Sequence, residues 1–567
     1  MAGLVQVAGI VLNLITSSRN CATPSIFLLM CALSATQGSP SSPFPDKGVR
    51  IRTLDYSSLL PYLALSLGRV LNKNVTMKNQ SLSRREFVRL SAAAAAGLSI
   101  LPGFRFGLDQ LPAPMKRTFG KIPFEVTTLG LGGQASLQWT PADVDPVPII
   151  LKAFKMGVNY FDTSNLYADS QLHFGKAFRE LHLIPGEEGY DEKLRESIFL
   201  TTKTHQRWAK PGFPELKNVN NWSNGDPAGG AIKDLKRSLS QMFGDGEGSY
   251  PEGSYVNMVL THNLNFVEEV DVMYQGLETP LNTKENFGVL VALRDYRDGT
   301  NLTGLNPKNE KLIRHIGLSG HINSPAMMDM IRRDKYELLD AMLVAINSND
   351  RLYLNHQHNV IPVAQAKNMG IIAMKVFADG AMYSKYASWT RDSDGVVRSV
   401  GTRELPSKPL IEYALTTPGI HTAIIGIGQI SEDHLKCQLV QNYYAAQIAP
   451  DGLSQKQREK IERSTRGIKE GKTNYFQLPF RGLTPPQDIK SGGGEKVEIS
   501  WNSALAANEP LSHYEVYRGD KLMATILHEP QISTAPFRYK VTEKETSYKV
   551  VTVDRAGNRA ESEEILV

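Results

Sequence analysis

Eight short apolar runs alternate with amphipathic stretches between residues 116 and 452, and no other feature constrains the fold of this 567-residue chain as strongly. Most of the runs are rich in Ile, Val and Leu, which is typical of strands buried on both faces. The predicted strands are residues 126–131, 160–162, 198–202, 258–261, 315–318, 341–346, 371–375 and 422–425. Because eight strands alternating with helices are typical of a (β/α)8 barrel, we predict an α/β fold with such a TIM barrel over residues 116–452.

A pattern typical of export signals precedes the barrel. Two adjacent arginines, Arg84 and Arg85, stand before Phe87, and a weakly hydrophobic run follows at residues 92–101. That run is about ten residues long, whereas a helix needs about 20 residues to cross a bilayer. The pattern resembles a twin-arginine export signal, which we place at residues 77–103. We therefore expect an exported protein of the periplasm or cell envelope of a bacterium, with no stable membrane span after processing.

The position of this signal makes the first part of the chain unusual. Met77 is a natural start for the signal, so residues 1–76 are interpreted as an upstream extension that need not be native. A second, Sec-like signal at residues 26–35 is an alternative, and so is an uncleaved anchor formed by the twin-arginine segment.

Composition excludes several classes of protein. The chain has 63 Lys and Arg against 58 Asp and Glu, a net charge of +5 without a basic block, so we predict no nucleic-acid partner. Its three cysteines, Cys21, Cys31 and Cys437, are too few for a disulfide-stapled scaffold or a Cys-rich metal site. The predicted strand ends also lack the clustered His or carboxylate residues of a metal-dependent hydrolase, so we predict no metal.

Polar residues follow three neighbouring strands of the predicted barrel, where the chemistry of this fold lies. Asp162 and Tyr167 follow the second strand, Lys203 ends the third and His262 ends the fourth. An adjacent ammonium favours the phenolate and so lowers the pKa of a tyrosine from about 10, and a carboxylate behind the ammonium keeps it charged. With a histidine to hold a carbonyl oxygen, the set suits protonation of that oxygen as hydride reaches the carbon.

Each of these residues also has a structural interpretation. Asp162 could cap a loop, Tyr167 could be a half-buried core aromatic, Lys203 a solvated lysine and His262 a core histidine. His205, two residues beyond Lys203, is a candidate lining residue.

The sequence around the second strand carries a family resemblance. Residues 157–167 read Gly-Val-Asn-Tyr-Phe-Asp-Thr-Ser-Asn-Leu-Tyr, and residues 175–177 read Gly-Lys-Ala. Both motifs resemble the aldo-keto reductases, and the resemblance extends over about residues 121–441. It implies an NAD(P)(H)-dependent oxidoreductase that reduces a small aldehyde or ketone, sugar-derived carbonyls among them, to an alcohol by hydride transfer.

The resemblance also assigns roles to the polar residues at the strand ends. Tyr167 is expected to be the general acid, Asp162 and Lys203 the pair that tunes it, and His262 the residue that orients the carbonyl group. A non-catalytic exported binding or scaffold protein built on the same barrel is the alternative.

The cofactor implied by the resemblance is NADP or NAD, laid across the mouth of the barrel. The chain shows no strand–Gly-x-Gly-x-x-Gly–helix unit, so a Rossmann domain is not predicted. The candidate cofactor-binding residues are Ser319, Lys375, Gly426, Gly428 and Gln438.

These candidates differ in what their residue types predict. Ser319 stands where the family usually binds the carboxamide, but Gly320 follows it where Asn is usual. Lys375 could neutralise a phosphate or form a salt bridge at the edge of the core. Gly426 and Gly428 would let the backbone approach phosphate. The family's usual cation for the extra phosphate of NADP is replaced by Ile and Ser at residues 430–431, so the choice between NADP and NAD stays open.

The chain continues beyond the barrel. Residues 453–485 are predicted to form a helix and a linker, and residues 486–567 alternate in polarity as strands do. This last stretch predicts a small all-β sandwich and resembles a fibronectin type III domain, with a surface or polymer partner as its expected ligand. Two long insertions, residues 206–230 and 268–311, follow barrel strands and either shape a pocket over the mouth or decorate the surface.

Overall fold

A closed barrel of eight parallel strands forms the body of the protein. The computed structural model describes residues 111–205, 227–277, 287–383, 385–492, 497–541 and 546–567. The strands pair in chain order and the last pairs with the first. They are Leu129–Gly132, Tyr160–Asp162, Phe199–His205, Val256–His262, Ile313–Gly320, Leu339–Ala345, Gly370–Met374 and Thr422–Gly426. The predicted (β/α)8 fold is confirmed.

Several predictions concern residues outside the described part of the chain. The upstream extension, the export signal and nearly all of the insertion at residues 206–230 lie there, so these stay predictions. Within the described ranges, no helix has the length and apolar character needed to cross a membrane.

Helices follow the strands and cover the outside of the barrel, and one more helix follows the barrel. They are Val147–Lys155, Ser170–Glu180, Glu192–Glu196, Pro227–Phe243, Glu268–Tyr274, Val289–Asp298, Ser324–Arg333, Val360–Ala366, Ser407–Leu415, Gln438–Ala445 and Gln455–Arg466. The helix at Gln438 begins after a turn at residues 433–437. In the structure the Asp433 carboxylate accepts the backbone N–H of Leu435, a local bond that competes with helix formation.

The insertion predicted at residues 268–311 contains part of the barrel itself. Its helix Val289–Asp298 contacts both the helix Pro227–Phe243 and the fifth barrel strand. The first five residues of Val289–Asp298 are all buried, so the first turn of this helix is covered on every side and belongs to the packed outer layer. Only the remainder of the insertion can therefore contribute to the mouth.

The first predicted strand, residues 126–131, is divided in the structure. Its first two residues belong to Ile122–Thr127, which pairs with Lys116–Phe119 in an antiparallel hairpin. The barrel strand Leu129–Gly132 begins only after Thr128, whose backbone N–H and side chain bond to residues outside the barrel sheet. The β-branched residues Val126, Thr127 and Thr128, which are typical of strands, continue across this boundary, so the sequence pattern alone showed one strand.

This hairpin closes the N-terminal end of the barrel. Phe119, at its tip, is fully buried, and its ring centroid lies 5.9 Å from that of Tyr160 and 5.4 Å from that of Phe199. These two aromatic residues begin the second and third barrel strands. A site that admits a ligand must therefore open at the opposite, C-terminal end.

Two separate antiparallel sheets follow the barrel. The smaller sheet contains Gln487–Gly492, Glu498–Asn502 and Phe537–Lys540, and the larger contains Leu511–Arg518, Lys521–Leu527, Ser547–Asp554, Arg559–Glu561 and Ile565–Leu566. Trp501 of the smaller sheet packs with Tyr514 and Tyr548 of the larger sheet in one apolar core. The two sheets therefore pack face to face as a small β-sandwich.

The helix Gln455–Arg466 begins with a capping box, in which Ser454 and Gln457 exchange hydrogen bonds between side chain and backbone. We expect Ser454→Ala to lower the opening free energy of the first-turn amides by about 1 kcal/mol, because one N–H loses its acceptor. Hydrogen exchange of the full-length protein measures this. The control is Ser464→Ala, an exposed position inside the same helix where we expect a change below about 0.5 kcal/mol. Equal changes in both variants would contradict the capping role.

Candidate active site

The structure brings the four predicted catalytic residues together at the C-terminal end of the barrel. The Nζ atom of Lys203 lies 2.6 Å from Asp162 Oδ1 and also donates to the carbonyl oxygen of Thr163 at 2.9 Å. The same ammonium lies 4.6 Å from the centre of the Tyr167 ring. Asp162 and Lys203 are each only 1% exposed, so this ion pair is shielded from water.

His262 also lies beside Tyr167. The two ring centroids are 6.0 Å apart, and His262 Nδ1 lies 3.4 Å from Ser164 Oγ. Because Ser164 Oγ already accepts the backbone N–H of Leu166, its own proton is available for Nδ1. This assignment places the ring proton of neutral His262 on Nε2, which can then donate to an oxygen atom.

Burial dominates the electrostatics of the ion pair. It raises the pKa of the Asp162 carboxyl and lowers the pKa of the Lys203 ammonium, and each charge partly offsets the shift of the other. The second oxygen of the carboxylate has no hydrogen-bond partner among the described residues. Lys203 is thus the main source of stabilisation for the Asp162 charge.

The pKa of Tyr167 differs from the expectation based on sequence. An adjacent ammonium was expected to lower it, but burial raises it well above the usual value, and the carboxylates of Asp162 and Asp379 raise it further. The ammonium of Lys203 is occupied by Asp162, so it favours the phenolate less than a free charge would. Tyr167 is therefore a neutral phenol at neutral pH, which is the form that can donate a proton.

The pKa of His262 lies well below its usual value. Burial is the main cause, and the neighbouring His205, Lys203, His321 and Lys375 lower it further. The imidazole is therefore neutral at pH 7, with one N–H donor and one acceptor nitrogen. His205, the candidate lining residue, has its ring centroid 5.2 Å from that of His262.

A buried polar network that the sequence did not predict holds the loop before Tyr167. Asn165 Nδ2 donates to Asp234 Oδ1 at 2.7 Å, and Arg237 Nη1 donates to the backbone and side-chain oxygens of Asn165 at 2.7 and 2.6 Å. Asp234 Oδ2 also accepts the backbone N–H of His205. The available signal was Asp234 itself, a charged residue on the buried face of the helix Pro227–Phe243.

A cavity of about 130 Å³ opens beside this cluster. The residues that line it include Asp162 and Tyr167 together with Lys375, Gly426 and Gln438, three of the candidate cofactor-binding residues. Next to it lies an open groove of about 1130 Å³, and a wall that includes Thr390 and residues 395–397 borders both spaces. Two of the four catalytic candidates and three of the five cofactor candidates thus face one space.

Lys375 forms a salt bridge at the edge of the core, one of its two predicted roles. Its Nζ atom lies 3.1 Å from Asp379 Oδ1 and 4.7 Å from the centre of the Trp389 ring. The same carboxylate also accepts from Lys385 at 2.6 Å and from the hydroxyl of Tyr475 at 2.8 Å. Phosphate neutralisation by Lys375 stays a prediction, and it would require the ammonium to share its charge with Asp379.

Asp379 gives this site a pH-dependent contribution to stability. Burial alone would raise its pKa, but Lys375 and Lys385 lower it to about 2. A carboxyl with a depressed pKa stabilises the folded state above the unfolded-state pKa of about 4, and this stabilisation is lost as the pH falls towards 2.

We therefore expect Asp379→Asn to lower the free energy of unfolding by about 2 kcal/mol at neutral pH, with a difference that shrinks between about pH 4 and pH 2. Urea denaturation of both proteins over this range measures it. A difference that stays constant with pH would show that the charge of Asp379 is not what stabilises the fold.

Gln438 and Gly428 hold a loop in place. Gln438 Oε1 accepts the backbone N–H of Gly428 at 2.9 Å, and its Nε2 donates to the carbonyl oxygens of Val397 and Ser399 at 3.1 and 2.8 Å. A Cβ atom on Gly428 would lie 2.3 Å from the Val397 oxygen. Glycine is thus required here by a close approach of protein backbone, and phosphate binding by these two residues stays a prediction.

Ser319 lies at the end of the fifth strand, fully buried, where its hydroxyl donates to the Thr261 carbonyl oxygen at 3.2 Å. A Cβ atom on the following Gly320 would lie 2.4 Å from the sulfur of Met327. The Asn that is usual in the family would therefore require Met327 to move. The next residue, His321, forms a hydrogen bond with Asn263, with Nδ1 and Oδ1 2.6 Å apart.

The described ranges contain no group of three or more His, Cys, Asp or Glu side chains that could hold a metal ion. Cys437 is buried and unpaired, and it precedes the helix Gln438–Ala445.

Comparison with known proteins agrees with this geometry. Residues 128–399 match the model of the aldo/keto reductase family. No curated protein matches the chain significantly.

Several solved structures are similar to the chain. An aldo-keto reductase from Bacillus halodurans in its holo form has 17% identity and a TM-score of 0.40, over 62% of this chain and 96% of that chain. One from Klebsiella pneumoniae in complex with NADPH has 17% identity and a TM-score of 0.38, over 62% and 95%. A Klebsiella pneumoniae structure with NADP and acetate has 18% identity and a TM-score of 0.38, over 62% and 95%.

The family match spans the first seven barrel strands and includes all four residues of the polar cluster. Residues 128–399, all within the (β/α)8 barrel, are thus the part of the chain that is similar to the aldo/keto reductase family.

Proposed function

We propose that the protein reduces a small aldehyde or ketone, sugar-derived carbonyls among them, to an alcohol with a nicotinamide cofactor. The observation that carries this proposal is the buried ion pair of Asp162 and Lys203 beside the neutral phenol of Tyr167, next to a cavity. The family match supports an oxidoreductase with NADP or NAD as its cofactor.

The residues of the site divide the proton chemistry between them. When bound, the cofactor supplies a hydride to the carbonyl carbon. Neutral His262 holds the carbonyl oxygen through its Nε2–H, and Tyr167 donates its proton to the same oxygen as negative charge develops there. Lys203 then stabilises the phenolate that remains on Tyr167, and Asp162 keeps the ammonium in position.

The cavity fits part of such a cofactor. Ordinary small-molecule sites have volumes of roughly 300–1,000 Å³, so the cavity of about 130 Å³ has room for one ring only. The adjoining groove of about 1130 Å³ has room for the remainder. Lys375 and Gly426 line the inner space, and Arg398 and Lys436 line the outer groove, where either cation would favour the additional phosphate of NADP over NAD.

Transfer of an isotope tests the reaction directly. NADPH that carries deuterium at its hydride-donating carbon is incubated with the protein and with glyceraldehyde or benzaldehyde as the carbonyl probe. We expect consumption of NADPH and an alcohol that carries deuterium on the former carbonyl carbon. If neither probe consumes NADPH or NADH, or the product carries no deuterium, the proposal is wrong.

A non-catalytic binding or scaffold role is the second candidate, and one observation favours it. The side chain of Gln438 is fully engaged in holding the loop around residues 397–399, which stands where a cofactor would be bound. Fluorescence titration with NADPH and NADH separates the two candidates, since an enzyme must bind one of them. Saturation with either dinucleotide favours the enzyme, and no binding to either favours the scaffold.

We further propose export by the twin-arginine route, supported by Arg84, Arg85 and the weakly hydrophobic run that follows. This route transports folded proteins, which suits a barrel that acquires its cofactor in the cytoplasm. Replacing both arginines with Lys should retain the protein in the cytoplasm of an expressing bacterium, as cell fractionation measures. The control is Arg89→Lys, and equal export of both variants would contradict the proposal.

A further inference from the structure

We propose that the C-terminal β-sandwich positions the active site of the barrel, with the chain segment 473–477 as the intermediary. The sandwich holds a barrel loop at residues 347–359, that loop holds the 473–477 segment, and the segment holds the Asp379–Lys375 ion pair. The part of this inference that concerns catalysis rests on the proposed function. The part that concerns the contacts between sandwich, loop and segment does not depend on any reaction.

The first step is the contact between sandwich and barrel. Asn359 of the barrel exchanges two hydrogen bonds with the backbone of Ala506, with Nδ2 donating to its oxygen at 3.2 Å and Oδ1 accepting from its nitrogen at 2.9 Å. Asn355 Nδ2 donates to the Ala507 oxygen at 2.7 Å. Asn359 and Ala506 are 3% and 2% exposed, so these bonds are protected from water. Such paired bonds fix an orientation, which a flexible spacer would not need.

In the second step the same barrel loop holds the 473–477 segment. Asn347 and Asn474 exchange two amide hydrogen bonds, both of 3.1 Å, and Asn349 Nδ2 donates to Thr473 Oγ1 at 3.0 Å. All four side chains are buried. The sequence predicted part of a linker here, because the Pro and aromatic residues after the helix lack periodicity, but the structure buries most of the segment.

The third step connects this segment with the active site. The hydroxyl of Tyr475 donates to Asp379 at 2.8 Å, and the ring of Phe476 lies 6.0 Å from the ammonium of Lys375. Trp389 packs edge-on against Tyr475, with ring centroids 5.2 Å apart. Lys375 in turn lines the cavity that contains Tyr167.

The position of Lys375 matters for catalysis because its charge acts on the catalytic residues. It is among the charges that lower the pKa values of Lys203 and His262. A shift of the 473–477 segment would release Asp379 from Tyr475 and change the ion pair beside the cavity. Asn359 and Tyr475 are therefore positioning residues, which act through others and do not touch the reacting atoms.

Hydrogen exchange of the full-length protein tests the coupling without any need for activity. We expect Asn359→Ala to accelerate amide hydrogen exchange in the 473–477 segment about ten-fold, because the loop that holds this segment loses buried hydrogen bonds. The control is Tyr517→Phe, whose hydroxyl bonds only within the sandwich, to Glu515 and Arg559. It should leave this segment unchanged.

The same measurement can overturn the proposal. If the amide of Ala506 loses its protection from exchange in Asn359→Ala while the amides of the 473–477 segment keep theirs, the sandwich does not hold the segment. If Asn359→Ala is recovered only as aggregate, the same exchange measurement can be made on Arg351→Lys. Arg351 bonds the Asn508 oxygen and Glu509 of the sandwich and is only partly buried.

Kinetics test the effect on the site. Tyr475→Phe removes the hydroxyl that holds Asp379, so we expect kcat/KM for glyceraldehyde to fall about ten-fold and its pH profile to shift. The matched control is again Tyr517→Phe, which also removes a hydroxyl bonded to a carboxylate but should change neither quantity. Combined with Asn359→Ala, the Tyr475→Phe effect should be less than multiplicative, as for residues in one network.

Two kinetic results would contradict the proposed effect of the sandwich on the active site. One is a pH profile that is unchanged in Tyr475→Phe. The other is that the effects of Asn359→Ala and Tyr475→Phe on kcat/KM multiply. Either result would show that the sandwich is a module without influence on the active site. If the wild-type protein reduces no carbonyl compound, the proposed function is wrong, and the hydrogen-exchange result alone decides whether the sandwich positions the segment.

Discussion

Replacing Tyr167 with Phe should lower kcat for carbonyl reduction by about 10²–10⁴-fold, the usual contribution of a general acid. The substitution keeps the ring that Lys203 and His262 contact and removes only the hydroxyl. Affinity for NADPH should change little, because the shape of the cavity is preserved. Steady-state kinetics with glyceraldehyde, together with fluorescence titration of NADPH, measure both effects.

The matched control for this variant is Tyr160→Phe. Tyr160 is a buried tyrosine at the start of the strand that Tyr167 follows, and its ring lies against Phe119 at the closed end of the barrel. Its hydroxyl accepts one hydrogen bond, from Thr201, so removing it should cost some stability but not the proton donor. If Tyr167→Phe reduces the carbonyl as fast as Tyr160→Phe does, another group supplies the proton and the assignment is wrong.

Replacing Lys203 with Met should lower the free energy of unfolding by about 3–5 kcal/mol, because it leaves Asp162 charged, buried and without its partner. Without the offsetting ammonium the pKa of Asp162 rises further. A carboxyl with a raised folded-state pKa destabilises the fold increasingly as the pH rises above its unfolded value of about 4. The loss should therefore be larger at neutral pH than near pH 4, as urea denaturation at the two pH values measures.

A double variant separates stability from catalysis. Adding Asp162→Asn to Lys203→Met removes the unpaired charge, so most of the lost stability should return, as it often does when both partners of a buried pair are neutralised. Activity should not return, because no ammonium remains to stabilise the phenolate of Tyr167. A double variant that is no more stable than Lys203→Met would show that packing, and not the unpaired charge, accounts for the loss.

The barrel could be predicted from the sequence because its strands are local apolar runs. Burial on both faces leaves little choice of residue types, so the ends of the strands are visible without a structure. The hairpin before the barrel was missed for the same reason. Its second strand, Ile122–Thr127, is separated from the barrel strand Leu129–Gly132 by Thr128 alone, itself a strand-forming residue, so the two together show one run of strand-forming residues.

The polar cluster could be predicted because each member stands at the end of a strand. Asp162 and His262 end their strands and Lys203 lies two residues before the end of the strand between them, so closure of the barrel brings the three together. The direction of the pKa shift of Tyr167 could not be predicted. It depends on how deeply the phenol is buried and on the carboxylate of Asp379, which lies far along the chain.

The sequence by itself determined the barrel, the alternating strands of the sandwich and which residue types end the strands, because periodicity and residue type act over a few neighbouring positions. Only the tertiary structure decided what covers the site. The contacts of Tyr475 with Asp379, of Asn347 with Asn474 and of Asn359 with Ala506 join residues that are far apart in the chain. Such contacts leave no period in the sequence, because they form only when separate elements pack against one another.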